Sequence, residues 1–148
     1  MNAPASSNDP WVIFDYEVGM FRSMCQLLMD GNVEYQSLPI AIKFAVVESA
    51  VLHTRILVDI LLSRGSESDD IKLSALAPTF TCSEIDQLRQ SYGGRKEKNS
   101  PCWIFNKKLA HATDQRSDRC NYSAQLNRLA PLINNIVNQV TTQRHSCK

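Results

Sequence analysis

Apolar residues recur at helical spacing in three long stretches of the chain, and no stretch shows the apolar/polar alternation of a half-buried strand. From about Trp11 to Met29, Phe14, Val18, Phe21, Cys25 and Leu28 fall on one face while Asp15, Arg22 and Gln26 lie elsewhere. This pattern predicts a helix that Asp30-Gly31-Asn32 stops. A second helix is predicted from about Leu38 to Ser63, with Pro39 at a first-turn position and Arg64-Gly65-Ser66 beyond its end. It is nearly apolar all round, which predicts a central element with neighbours on several sides. The third stretch, about Asn121 to Gln143, carries Leu126, Leu129, Ile133, Ile136, Val137 and Val140 as one stripe, and Pro131 is expected to bend or split it.

Shorter elements fill the middle. An acidic, serine-rich connector at Ser66 to Asp70 precedes one short helix within Ile71 to Phe80 and another over Ser83 to Tyr92, where Ser83 and Asp86 sit at cap and first-turn spacing. Gly93 to Asn99 reads as a flexible basic loop. Ser100-Pro101 then reads as a cap and a first-turn proline, opening a helix to about Asp114. The expected fold is all-α: an antiparallel helical bundle of four to five main helices with short extra helices. A disordered segment, residues 1–10, is expected to lead into a single domain, residues 11–148.

The 148 residues, 43% apolar and 21% charged, suit one soluble domain. A net charge of +1 supplies no global field, so any nucleic-acid contact has to come from a local patch and DNA is not an expected partner. Five cysteines, odd in number, widely spaced and without a Cys-x-x-Cys pair, together with no secretory apolar region, lead to an expectation of reduced thiols in the cytoplasm. No metal or other cofactor is expected from the spacing of histidines and cysteines. Glu48, His53, Arg55 and Asp59 interrupt the most apolar segment, so no membrane span is expected either.

Those interruptions carry the first candidate chemistry. Glu48, Leu52, Arg55 and Asp59 follow one another in steps of four, three and four, which keeps them on one helix face. They form either a solvated stripe of intrahelical ion pairs or the lining of a cleft or interface. His53 lies about 100° round from Leu52 and reads as a packed histidine. The second candidate is the cluster Asn106, Lys107, Lys108 and His111, followed by Arg116 and Arg119. A histidine beside cations can move protons next to a phosphate whose charge the cations offset, which is the minimum chemistry for cutting RNA through its 2′-hydroxyl without a metal. A solvated basic face near a helix end fits the same residues. On one straight helix Asn106 and His111 stand about 140° apart, so pairing them requires an end or a distortion of the winding.

Asn106-Lys107-Lys108-Leu109-Ala110-His111, preceded by the helix Glu48-Ser49-Ala50-Val51-Leu52-His53-Thr54-Arg55-Ile56-Leu57-Val58-Asp59, resembles HEPN-type helical domains and an uncharacterised group of small bacterial proteins of similar helix order. The resemblance implies a bundle of four or more helices, usually dimeric. Active members are metal-independent endoribonucleases of toxin-antitoxin and phage-defence systems. Their motif is an arginine, often followed by a polar residue, with a histidine four to six residues after the arginine. His111 matches the histidine and Asn106 the polar residue, whereas Phe105 stands where the arginine belongs. Arg55 and Arg116 are the candidates to replace that cation in three dimensions.

Two functions follow as expectations. One is a HEPN-like homodimer acting on or binding RNA, with His111, Asn106, Arg116 and Arg55 as catalytic candidates and Glu48, Asp59, Lys107 and Lys108 as binding candidates. The other is a non-catalytic dimeric scaffold or regulatory module, with a protein partner, whose polar stripe fixes helix register.

Overall fold

The computed structural model describes residues 9–110 and 122–146, with side chains at 9–107 and 122–146. Within them the chain forms α1 (Pro10–Leu27), α2 (Val33–Ser37), α3 (Ile40–Leu61), α4 (Leu73–Leu76), α5 (Ser83–Tyr92), α6 (Pro101–Ile104), a π-helical turn (Phe105–Ala110) and α7 (Tyr122–Ser146). No strand occurs among the described residues, and the helices pack against one another as an all-α bundle.

In α1 the Asp9 side chain caps the helix by accepting from the Trp11 N–H at 3.0 Å, and Pro10 follows where its missing N–H costs nothing. Its core face is Phe14, Val18 and Phe21, as the spacing predicts, with Glu17 buried beside them. The sequence pattern does not mark α2, a single turn capped by Asn32, which accepts from the Tyr35 N–H at 2.9 Å. Pro39 is the residue before α3, not a first-turn residue. Its backbone is extended, and its carbonyl accepts from the N–H groups of Ile42 and Lys43. A similar correction applies to α5, whose cap position is Cys82, while the Ser83 hydroxyl donates to Glu84.

The last helix is not split at Pro131: α7 runs unbroken from Tyr122 to Ser146. Pro131 is exposed, as is Asn127, whose carbonyl lacks the usual N–H partner four residues on, so water can satisfy it. The six stripe residues on both sides of the proline are all buried and hold one register.

Cross-links between side chains fix the directions of the helices. Arg144 near the end of α7 stacks on Trp11 at 4.5 Å and pairs with Asp15 at 2.9 Å, whereas Arg22 near the end of α1 reaches Asn134 and Asn138 at 2.9 and 2.8 Å. Hence α1 and α7 are antiparallel. Gln143 to Thr79 and Asn135 to Glu84 set α7 antiparallel to the α5 segment in the same way. One apolar cluster, with Phe14, Phe21, Leu57, Leu61, Leu129 and Ile136 among its members, fills the space between α1, α3, α5 and α7.

Candidate functional site

The row on α3 divides at Leu52. Glu48 and Leu52 are exposed, whereas Arg55 and Asp59 are half-buried and line a cleft of about 600 Å³. The same cleft takes Tyr92 from α5, Arg64, Asp69 and Asp70 from the connector after α3, Arg95 from the loop after α5, and Asn106 from the π turn. Ile13 and Ile56 form its apolar edge.

The π turn sets Asn106. The Ser100 side chain caps α6 by accepting from the Trp103 N–H at 3.1 Å, and Pro101 follows, as the sequence predicts. Four residues later the winding widens to π, instead of continuing as the expected α-helix. At that junction the Cys102 carbonyl accepts from the Phe105 N–H and, at 2.7 Å, from the Asn106 side-chain amide. The other end of that amide accepts from Arg55 Nη2 at 3.0 Å. Asn106 is 8% exposed, so its side chain is held at both ends and fixes where the guanidinium stands. A π turn of this kind is often found at functional sites.

The loop after α5 is tied down. Gly93 has φ +72°, a conformation glycine adopts without penalty, and a Cβ there would come within 2.6 Å of the Ser100 Cβ. Arg64 Nη2 donates to the Gly93 carbonyl, the Ser100 hydroxyl to the Gly94 carbonyl, and the Gly94 N–H to Glu97. This closed loop carries Arg95 to the cleft. The Arg64 guanidinium also lies over the Tyr92 ring, 5.4 Å from its centroid.

Three arginines therefore face three aspartates, yet they do not pair closely. Among the described residues the ion pairs within 4 Å are His53–Glu17, Arg89–Asp86 and Arg144–Asp15, none of which lines the cleft. Asp70 is turned back on its own loop, accepting from the Glu67 N–H at 2.7 Å. Burial raises the Asp59 carboxyl above its ordinary range, against the pull of Arg64, Arg55 and Arg95. Burial also raises the Tyr92 phenol, with Cys102 and Asp59 acting in the same direction.

Of the residues singled out from the sequence, the structure brings together Arg55, Asp59 and Asn106. Glu48 and Lys107 are exposed and do not line the cleft. His111 and Arg116 lie outside the described residues, as does the side chain of Lys108. His53 is in the core, 7% exposed, with Nδ1 2.6 Å from Oε2 of Glu17 and the Tyr16 ring edge-on at 6.0 Å. Sequence reasoning did not single out Arg64, Arg95 or Tyr92; the only signal for the first two was a cation at a helix end and another in a glycine-bounded loop. Among the described residues no three His, Cys, Asp or Glu side chains converge to hold a metal ion, and no helix is long and apolar enough to cross a membrane. The chain matches no model of a known protein family, no curated protein and no solved structure.

Proposed function

We propose that the cleft receives a phosphodiester of RNA and that the chain is a HEPN-like, metal-independent endoribonuclease working as a homodimer in defence or toxin-antitoxin biology. The observation that carries this reading is the Arg55–Asn106 hydrogen bond at 3.0 Å, which couples a guanidinium from α3 to the polar residue of the motif although the motif's own arginine position is Phe105. Arg55 keeps several N–H groups beyond the one given to Asn106, in the fork geometry that suits phosphate oxygens. Arg64 and Arg95 line the same cleft and add positive charge to it. His111 is the proton-transfer group of the proposal.

The test is incubation of wild type, Arg55→Ala and His111→Ala with total RNA and with tRNA in EDTA, each protein first checked for an unchanged melt. Cleavage by wild type and a loss of about 100-fold or more in both variants is the expected result. A folded wild type that cuts neither substrate removes the enzyme reading.

A second reading has its own observation. Asp59, Asp69 and Asp70 offset the three arginines of the cleft, which weakens its pull on a polyanion. That balance favours a non-catalytic dimeric module with a protein partner, and binding of labelled RNA by the wild type separates the two.

A further inference from the structure

We propose that a second copy of this chain docks on the face shared by α1 and the N-terminal half of α3, about a two-fold axis near Leu52. This gives a surface to the homodimer of the reading above and does not depend on whether the cleft acts on RNA.

The described structure exposes nine large apolar side chains, and all of them fall between positions 12 and 52. Val12, Ile13 and Tyr16 stand out from α1; Ile42, Phe44 and Leu52 stand out from α3, all six exposed to between 44% and 62%. The α5 and α7 helices expose no large hydrophobic side chain among the described residues. Scattered exposed apolar residues are ordinary, but a concentration on one pair of neighbouring helices is not.

Helical position joins Val12, Tyr16, Phe44 and Leu52 into a face, whereas Ile13 and Ile42 each lie about 100° round from it. On α3, Ala41, Ala45, Glu48 and Leu52 follow in steps of four, three and four and are all exposed, which is the spacing of a helix-pairing seam. On α1, Val12, Tyr16 and Gly19 share the neighbouring exposed strip. Among the described residues a Cβ at Gly19 would meet no atom within 4 Å. A glycine inside a helix weakens it, and on this exposed strip the bare backbone leaves room for a neighbouring helix to approach closely.

Area and charge select a second copy. At roughly half exposure each, the large apolar residues of that face present on the order of 400 Å². That is about half of the ~800 Å² each partner gives to a stable interface, close to the usual apolar share, with the small residues and a polar rim supplying the remainder. Two antiparallel helices meeting their own image form a four-helix arrangement with the apolar faces inside. Glu48 is the one ionisable side chain on the α3 seam before Leu52. A two-fold axis near Leu52 places the two Glu48 positions about 12 Å apart along antiparallel helices, so they do not meet head on.

The experiment is sedimentation velocity on wild type, Leu52→Glu and Leu52→Lys at micromolar concentrations, followed by an equimolar mixture of the two variants. Leu52 is half-exposed, so both variants are expected to keep the wild-type helicity and melt as monomers. Wild type is expected to be dimeric, each variant alone to dimerise at least about tenfold more weakly, and the mixture to recover dimer because opposite charges then meet at the axis. Gly19→Leu should weaken the dimer without altering the secondary structure. Variants that dimerise as well as wild type overturn this surface and leave the homodimer standing. A mixture that stays monomeric overturns the axis at Leu52. A monomeric wild type overturns both surface and homodimer, while the RNA reading is judged by its own assay.

Discussion

Replacing Glu17 by leucine should destabilise the fold far more than removing a single surface charge would. Glu17 and His53 hold α1 to α3 through a 2.6 Å contact with side chains only 10% and 9% exposed, so water cannot take the place of either partner. Glu17→Leu removes the acceptor and leaves the Nδ1 side of the imidazole facing apolar surroundings. Loss of a charge-assisted hydrogen bond together with a stranded buried polar group costs about 3 kcal/mol. In a chain of this length that is about 6–12 °C of melting temperature. His53→Leu strands a carboxylate and should cost as much or more, about 3–5 kcal/mol. The double variant Glu17→Leu/His53→Leu leaves no polar group behind and should recover most of the loss. Urea unfolding of the four proteins yields the coupling, expected at about 2 kcal/mol or more in favour of the pair. Single variants within 1 kcal/mol of wild type, or losses that simply add, would refute the claim that this dyad locks the two helices.

Two further expectations concern the cleft and its surroundings, and a third the end of α1. Asp59→Asn should stabilise the protein at neutral pH: the folded pKa is raised by burial, so ionisation destabilises the fold progressively as pH rises from the unfolded value through the folded one, and the gain should vanish in acid below both. Stability measured across that range with no pH-dependent gain would count against the burial of this carboxyl. Ser100→Ala removes both the cap to Trp103 and the tie to Gly94 and should cost about 1–2 kcal/mol by chemical denaturation; a loss under 0.3 kcal/mol would mean the loop does not depend on it. Burial pushes the Cys25 thiol up to about 11, so alkylation at neutral pH should be much slower in the folded protein than in urea, and equal rates would contradict that environment.

The helices α1 and α7 were legible because each buries a single apolar face of adequate length. Every position of the α7 stripe is buried, and Phe14, Val18 and Phe21 are the core face of α1. What the periodicity missed depends on contacts from elsewhere in the chain. Glu17 looks like an ordinary surface residue of α1 until His53 of α3 meets it. The π turn has no apolar signature, because a widened winding shifts positions by a fraction of a turn within a short segment, and Asn106 shows its importance only through Cys102 and Arg55. The split that Pro131 could have caused is absent for the same reason: local chemistry favours a break, and burial on both sides of the proline prevents it. For the site, Arg55 and Asp59 were named from the sequence because they are polar where the pattern calls for apolar residues, and Asn106 because it stands in the cluster that resembles the motif. Arg64, Arg95 and Tyr92 occupy positions that are unremarkable in sequence and reach the cleft only through folding.

The division of the α3 row at Leu52 links the two proposals and makes their relation measurable. Arg55 lies one helical turn beyond the proposed two-fold axis, so docking would place the two Arg55 positions about 9 Å apart along the paired helices. Two clefts so close would form one groove with six arginines, doubling the positive charge offered to a single RNA strand and adding a second His111 to a reaction that uses both an acid and a base. If the groove works as a unit, Leu52→Glu should lower cleavage in step with its loss of dimer, and the charge-matched mixture with Leu52→Lys should restore both. If each cleft works alone, the Leu52→Glu monomer should cut RNA at the wild-type rate per chain while Arg55→Ala remains inactive. Activity plotted against the dimer fraction from sedimentation separates these cases: proportionality assigns the reaction to the shared groove, and a flat line confines it to one chain.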